Sequence, residues 1–573
     1  MVWVYVDDLL FQCPQAVVAL LMQVLADTMQ PYRFHLQRRK CRIHIPALAA
    51  TPQDEWPHEA RALGEILPLS PEGLTALGTE AAGEFAMPLG PWAAAAEHTR
   101  ARAAKACRLA DAALQLVQRP PPAGGKQVAW RICRNIITHA LDYDSRVLTS
   151  SLVLPHAAAV ESRAWDVVEA VVGRSLTSSE RLQLQLPTDH AGCQMPMPTA
   201  MVPIARAADL IEVGVPLRQA IVGWGVDLVT ATSVDGVDDA VSEGLLMMLA
   251  DRGIAFDGPG CPAQLRVETE ADMENYDFTA AALRPAALQK HSMSGMLRIA
   301  ALANYEEQFQ AAGERSSTRL LSAGGPNAGK SLTAPAGLKS THFADEEFTE
   351  ILRWRLGLAP EAEPTLCQNA TAKGKVCEET MNEFLDHAMC CSNGPLRIRR
   401  HEDIANCLAD MIDDTGAHVR REAYMKVFST AESAAWLDIW AFGGMHLPEL
   451  IIDVTVRHPV VQRYQPNASV HAGAAAAEAE KDKQSRYPPA SGRSVSAFAV
   501  ETWGRLGQTA EEMLTNLAAE ATRHARRRGQ AVTAGAYLRK WRASLDACLQ
   551  QGVAASLLAA RCGLAGKPHH RHR

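Results

Sequence analysis

WLDIWAFGGMHLPELIIDVTV, residues 436–456, sets one acid inside each of two apolar runs, Asp438 between Leu437 and Ile439 and Asp453 between Ile452 and Val454. Each run reads as a strand, and the two could form a hairpin. A carboxylate among Ile and Val costs several kcal/mol unless it is paired, hydrogen-bonded or bound to metal. A lone buried Asp is ordinarily a structural hydrogen-bonder, whereas two acids on neighbouring strands can converge on one cation. Upstream, PLRIRRHEDIANCLADMIDD opens on Arg397, Arg399, Arg400 and His401 and continues as an amphipathic helix over about 400–415. Those arginines could contact phosphates or form a solvated face. Downstream lie an Ala-rich stretch, AGAAAAEAEKDK, and C-terminal helices, so the last block reads as α/β.

Just ahead of this block, Cys367-x9-Cys377-x9-His387-x3-Cys391 offers three thiolates and one imidazole within one short segment, enough for a tetrahedral zinc site. Cys390 is an alternative fourth ligand, and the competing reading is scattered reduced cysteines. Such a site would be structural, closing a segment with no core of its own. Between 312 and 340 the chain turns Gly-, Ser- and Pro-rich, which marks a linker. Within it, Gly324 to Ser331 (GGPNAGKS) satisfies the phosphate-loop pattern G-x-x-x-x-G-K-[ST]. The mechanism needs a buried strand before the loop and a helix after it. Here ERSSTRLLSA precedes and SLTAPAG follows, with Pro335 soon interrupting any helix, so no ATP site is expected.

From about 92 to 320 the pattern is mainly helical, broken by PPPAGGK at 120–126 and MPMP at 195–198. The first 46 residues carry short β-rich runs: VWVYV and LLF around Asp7 and Asp8, then CRIHI at 41–45. Adjacent carboxylates at a hairpin tip are what a polymerase uses to hold divalent metal against a nucleotide triphosphate. A polar two-residue turn is the plain alternative. The two-metal site also needs a carboxylate from an earlier strand, and only four residues precede Tyr5, so the expectation is that this chain does not polymerise alone.

With 573 residues, 47% hydrophobic and 21% charged, there is material for several globular domains. A net charge of −7 confines any nucleic-acid contact to local clusters. The N-terminus lacks the features of a secretory leader, no long uncharged apolar stretch follows, and the 13 cysteines read as reduced thiols. An intracellular protein, nuclear or cytoplasmic and without a membrane partner, is expected.

Several of these segments, in order, resemble a known family. Tyr5-Val6-Asp7-Asp8, LQRRKCRIHIP and ILPLSPEGLTALGTEAAG look like the end of a reverse transcriptase palm. LQLPTDHAGCQMPMPTAMVPIARAADLIE is similar to the stretch beyond the thumb, with His190-Ala191-Gly192 where two glycines are usual. Asp386-His387-Ala388-Met389-Cys390-Cys391 and Gly394 resemble the family's zinc knuckle. Arg400-His401, the Gly416–Glu422 segment, Leu437-Asp438-Ile439, Ile452 to Val456, Lys483-x-x-Arg486-Tyr487 and Ala499 to Arg505 look like the restriction-like endonuclease of site-specific non-long-terminal-repeat retrotransposons, relatives of the PD-(D/E)xK nucleases. Leu437 replaces the usual proline, Arg486 stands where a second lysine is common, and Lys481 rivals Lys483.

The resemblance implies an α+β, multidomain C-terminal part of a retrotransposon polyprotein. Residues 1–90 would be a truncated palm, 91–215 thumb-like, 216–340 a helical connector and linker, 341–395 the zinc knuckle region, and 396–573 the endonuclease with C-terminal helices. It implies Mg²⁺ at Asp438 and Asp453, with Lys483 orienting the attacking water and Glu422 assisting, and a residual polymerase Mg²⁺ site at Asp7 and Asp8. Zn²⁺ would sit on Cys367, Cys377, His387 and Cys391. Target DNA and element RNA would be the partners, with Arg397, Arg399, Arg400 and His401 on the nucleic acid. Nicking would supply the 3′ end that primes reverse transcription. A catalytically silent, nucleic-acid-binding remnant of a decayed element is the alternative.

Overall fold

The computed structural model describes residues 92–119, 125–148, 150–202, 205, 305–334, 338–359, 366–371, 373–444 and 448–561, and the backbone of four short strands ahead of them. The chain divides into two compact units. One comprises residues 1–111, 135–164 and 197–296, the other residues 112–134, 165–196 and 297–573.

In the first unit, β1 (Val2–Tyr5) and β2 (Asp8–Phe11) pair antiparallel with Tyr5 opposite Asp8. The runs flanking the acidic pair therefore do form a hairpin. Its connection, Val6 and Asp7, lies outside the described residues, as do CRIHI and residues 216–304 of the expected connector. β3 (Leu74–Ala76) and β4 (Met87–Leu89) form a second ladder. The Ala-rich segment is α1 (Trp92–Val117), from which Arg102 donates to both oxygens of the buried Asp144 at 3.1 and 3.0 Å. Pairing is what allows that carboxylate to be buried at all.

The chain continues through α2 (Lys126–Ile132), α3 (Asp142–Val147), α4 (Ser150–Val172) and α5 (Ser178–Gln185). The start of α5 is fixed by its residue types: Thr177 Oγ1 accepts from Glu180 N–H, and the Glu180 carboxylate accepts from Thr177 N–H. Two of the donors that a helix start leaves open are satisfied in this way.

The second unit continues with α6 (Glu314–Ser322), α7 (Asp345–Leu356), α8 (Asp386–Cys390) and α9 (Leu396–Asp413). Then come β5 (His418–Tyr424), β6 (Trp436–Phe442), β7 (Leu450–Arg457), α10 (Gln465–Ala468), α11 (Ala474–Arg486), β8 (Val495–Glu501), α12 (Gln508–Arg527) and α13 (Ala534–Arg561). The sheet order is β5-β6-β7-β8, with antiparallel pairs except for β8, which runs parallel to β7. A parallel neighbour requires a crossover, and α10 and α11 lie in it.

The residue pattern matches each strand's place in this sheet. β6 alternates buried and less buried residues, as expected with one face on the core, whereas β7 and β8 are buried nearly throughout. Ile439, Ile452, Val454, Phe498 and Val500 pack against Ile404 and Leu408 of α9, Leu514 and Leu517 of α12, and Leu545 and Leu549 of α13. Each such side chain contributes about 2 kcal/mol by leaving water. The fold is thus α+β, mostly helical, with a small four-stranded sheet. Among the described residues, no helix is long and apolar enough to cross a membrane.

Candidate active site

β6 and β7 carry the two acids. Ile439 lies opposite Ile452, so extending that register by one residue sets Asp438 against Asp453. The two carboxyl groups lie close enough for each to shift the other's pKa. From α11, Lys483 Nζ donates to Asp453 Oδ2 at 2.7 Å. Val454 N–H donates to Asp438 Oδ2 at 2.6 Å, and His401 Nε2, from α9, lies 3.2 Å from the same oxygen and 3.1 Å from Val454 O. The crossover thus brings the lysine back over the sheet, and α9 brings the histidine.

These neighbours drive the two acids apart. Burial would raise Asp438, but its hydrogen bond to His401, that ring's charge and the Val454 N–H outweigh it and hold the carboxyl below its ordinary value. Burial raises Asp453, Lys483 offsets only part of this, and the nearby Asp438 pushes further up. Two like charges share the site, and Asp453, the acid whose pKa is raised, takes up a proton the more readily. A divalent cation could replace that proton, since oxygen donors at short range are what such ions take.

Glu422 sits on β5 between the Arg421–Ile439 and Ala423–Leu437 pairs, the register position facing Asp438. It is exposed, and its backbone is left-handed with φ of 47°. For a residue with a Cβ this costs about 1–3 kcal/mol. Lys481, the rival lysine, is exposed, as is Arg486, whose guanidinium lies 5.1 Å from the Tyr487 ring centre.

The basic segment divides. Arg397 is exposed, and Arg399 is half-buried with Nε 3.9 Å from Asp403. Arg400, expected on nucleic acid, is instead 1% exposed and donates to Met389 O at 2.7 Å. It falls on the inward face of α9, where its stem packs against Gly552 of α13. His401, expected beside it on nucleic acid, faces Asp438. Nothing in the RRH tripeptide distinguishes the inward residues from the outward one; the helix phase does.

The four sequence-selected ligands come together. One ligand atom from each of Cys367, Cys377, His387 and Cys391 lies within 4.8 Å of all the others, so the cluster could hold a metal ion. The Sγ atoms of Cys367 and Cys391 are 3.7 Å apart, and Cys377 Sγ is 3.4 Å from His387 Nε2. Burial pushes the Cys367 thiol up to about 12, and a bound cation would supply the charge that favours thiolate. Cys390 turns away, toward the backbone oxygens of Asp386 and His387.

The phosphate-loop pattern lies after α6, not after a strand, and is followed by a single 3₁₀ turn at Lys330–Thr333. The donors at its Gly-Lys-Ser end are already used. Gly329 N–H and Ser331 N–H reach the two oxygens of Asp546 at 3.1 and 2.9 Å, Ser331 Oγ donates to the same carboxylate, and Lys330 Nζ donates to Thr188 Oγ1 at 2.7 Å. Asp546, on α13, carried no signal in the sequence because its partners lie far away along the chain. No known family model matches this chain, and no curated protein matches it.

Proposed function

We propose that residues 396–573 form a Mg²⁺-dependent endonuclease that nicks DNA, within the C-terminal part of a non-long-terminal-repeat retrotransposon polyprotein. The observation that carries this reading is the convergence of Asp438, Asp453 and Lys483 on one edge of the β6–β7 pair. The retrotransposon assignment, with target DNA and element RNA as partners, rests on the sequence resemblance. The order α9, β5-β6-β7, α10-α11, β8, in which the helical crossover carries Lys483, suits it.

Bound between the two carboxylates, Mg²⁺ would lower the pKa of a water and neutralise charge on the scissile phosphate. Asp438 and Asp453 would hold that ion. Lys483, one hydrogen bond from Asp453, would orient the nucleophile and offset the charge developing on phosphate oxygens. The exposed Arg397 suits backbone contact.

Supercoiled-plasmid nicking alongside a gel-shift titration tests this reading. Asp438→Ala, Asp453→Ala and Lys483→Ala should each slow nicking by about a hundredfold or more while DNA affinity changes little, since they act in the transition state. Lys481→Ala should nick like wild type. If wild type binds DNA but never nicks, the silent remnant takes its place; if Asp453→Ala nicks at full rate, the site is elsewhere.

We further propose that the Cys3His cluster holds one structural Zn²⁺, which the soft donor set favours. Metal analysis should find about one zinc per chain, lost in His387→Ala and retained in Cys390→Ala.

A further inference from the structure

Asp438 is held at both its ends. Its carboxylate oxygen Oδ2 receives Val454 N–H and faces His401 Nε2, while its carbonyl accepts Arg421 Nε at 2.9 Å. Arg421 in turn reaches Glu402 at 2.9 Å and Asn406, so residues 401, 402 and 406 of α9 all bear on this one stretch of β6. His401 Nε2 confronts two acceptors, Asp438 Oδ2 and Val454 O, and two acceptors fix that nitrogen as an N–H donor. The ring is therefore oriented by a main-chain carbonyl that cannot move without disturbing β7, and it presents its hydrogen to the carboxylate.

We infer that His401 is a positioning residue that locks the Asp438 carboxylate in the orientation needed to share a divalent cation with Asp453. The inference rests on the nuclease reading for its consequence but not for its geometry. Ion binding to two carboxylates demands that both point at one place, and a side chain two torsions long does not hold that pose unaided. An outer partner of this kind changes metal affinity or activity by about ten- to a hundredfold in other metal sites. The residue acts through its N–H. The role needs no charge on the ring, and glutamine, whose amide nitrogen can reach the same place, should substitute where leucine cannot.

The experiment uses the full chain preloaded with zinc and measures binding of Mn²⁺ alone by calorimetry, then nicking in Mg²⁺, for wild type, His401→Leu and His401→Gln. We expect His401→Leu to weaken Mn²⁺ by at least tenfold and to lower the nicking rate at saturating DNA similarly, with half-saturating DNA within about twofold of wild type. His401→Gln should return to within about threefold of wild type on both. Equal Mn²⁺ affinity in His401→Leu and wild type overturns the inference, as does a glutamine variant as weak as the leucine one at an unchanged melting temperature. If Mn²⁺ affinity follows His401 as expected but no variant and no wild type nicks, the positioning role stands and the nuclease reading falls.

Discussion

Asp546 and Asp453 are both acids almost without exposure, 0% and 6%, and burial raises the pKa of both, yet their surroundings differ in kind. Asp546 is surrounded by donors: two backbone N–H groups and a hydroxyl from the glycine loop. Asp453 has Lys483 on one side and a second carboxyl on the other. The loop that spells a nucleotide-binding pattern has spent two of its N–H groups and a hydroxyl on the protein's own carboxylate, which makes it a clasp. The strands that carry Asp438 and Asp453 instead leave two acids together, one shifting the other's pKa. Function is expected where internal partners run out.

The contrast is sharpest in stability. Asp546→Ala strands two buried N–H groups and a hydroxyl, and should cost about 3–5 kcal/mol in chemical denaturation. Asp453→Asn keeps an acceptor for Lys483 and removes one of two opposed charges, so it should change stability by no more than about 1 kcal/mol while abolishing Mn²⁺ binding between the acids. Comparable losses in the two variants would erase the distinction between clasp and site.

A smaller effect follows from the direction in which Asp453 is shifted. Its folded-state pKa lies above the unfolded value of about 3.9, so the stability it contributes is fully present below that pH and is lost as pH rises through the raised folded value. A cation competes with the same proton. Mn²⁺ affinity of the zinc-loaded chain should therefore climb with pH across that window and level off above it. Asp438 is shifted downward, so it is already ionised there and should not contribute to the slope. A flat profile would mean that Asp453 does not hold the cation; a profile unchanged in Asp453→Asn would mean the same.

The two acids and the four thiol and imidazole ligands are legible in the sequence, for different reasons. An Asp flanked by Ile and Val on both sides is conspicuous because such burial needs a partner, and Cys and His close together in the chain can meet without any knowledge of the fold. Lys483 is separable from Lys481 only once α11 is seen, since two residues along a helix turn a side chain by about 200°. Reading Arg400 and His401 as nucleic-acid contacts fails for a related reason: a basic tripeptide looks solvated until the helix phase turns two of its members inward. Asp546 and Arg421 are out of reach, because the first is defined by a contact across 217 residues and the second by a strand register.

The smallest expected effect belongs to Lys330, and it decides how the glycine loop is to be understood. In a phosphate loop this lysine would reach the β- and γ-phosphates, and its removal would abolish nucleotide binding. Here its Nζ donates to the hydroxyl of the buried Thr188, and burial lowers its pKa. Lys330→Ala removes one hydrogen bond, for a net loss of about 1 kcal/mol, and Lys330→Met, which keeps the stem, should lose less. Neither should alter nicking or Mn²⁺ affinity, because the loop's remaining donors stay on Asp546. Equilibrium dialysis with ATP and Mg²⁺ should find no saturable binding in wild type. Micromolar binding that disappears in Lys330→Ala would show that the clasp opens for phosphate, and would place a second ligand site at the loop where the contrast with Asp453 predicts none.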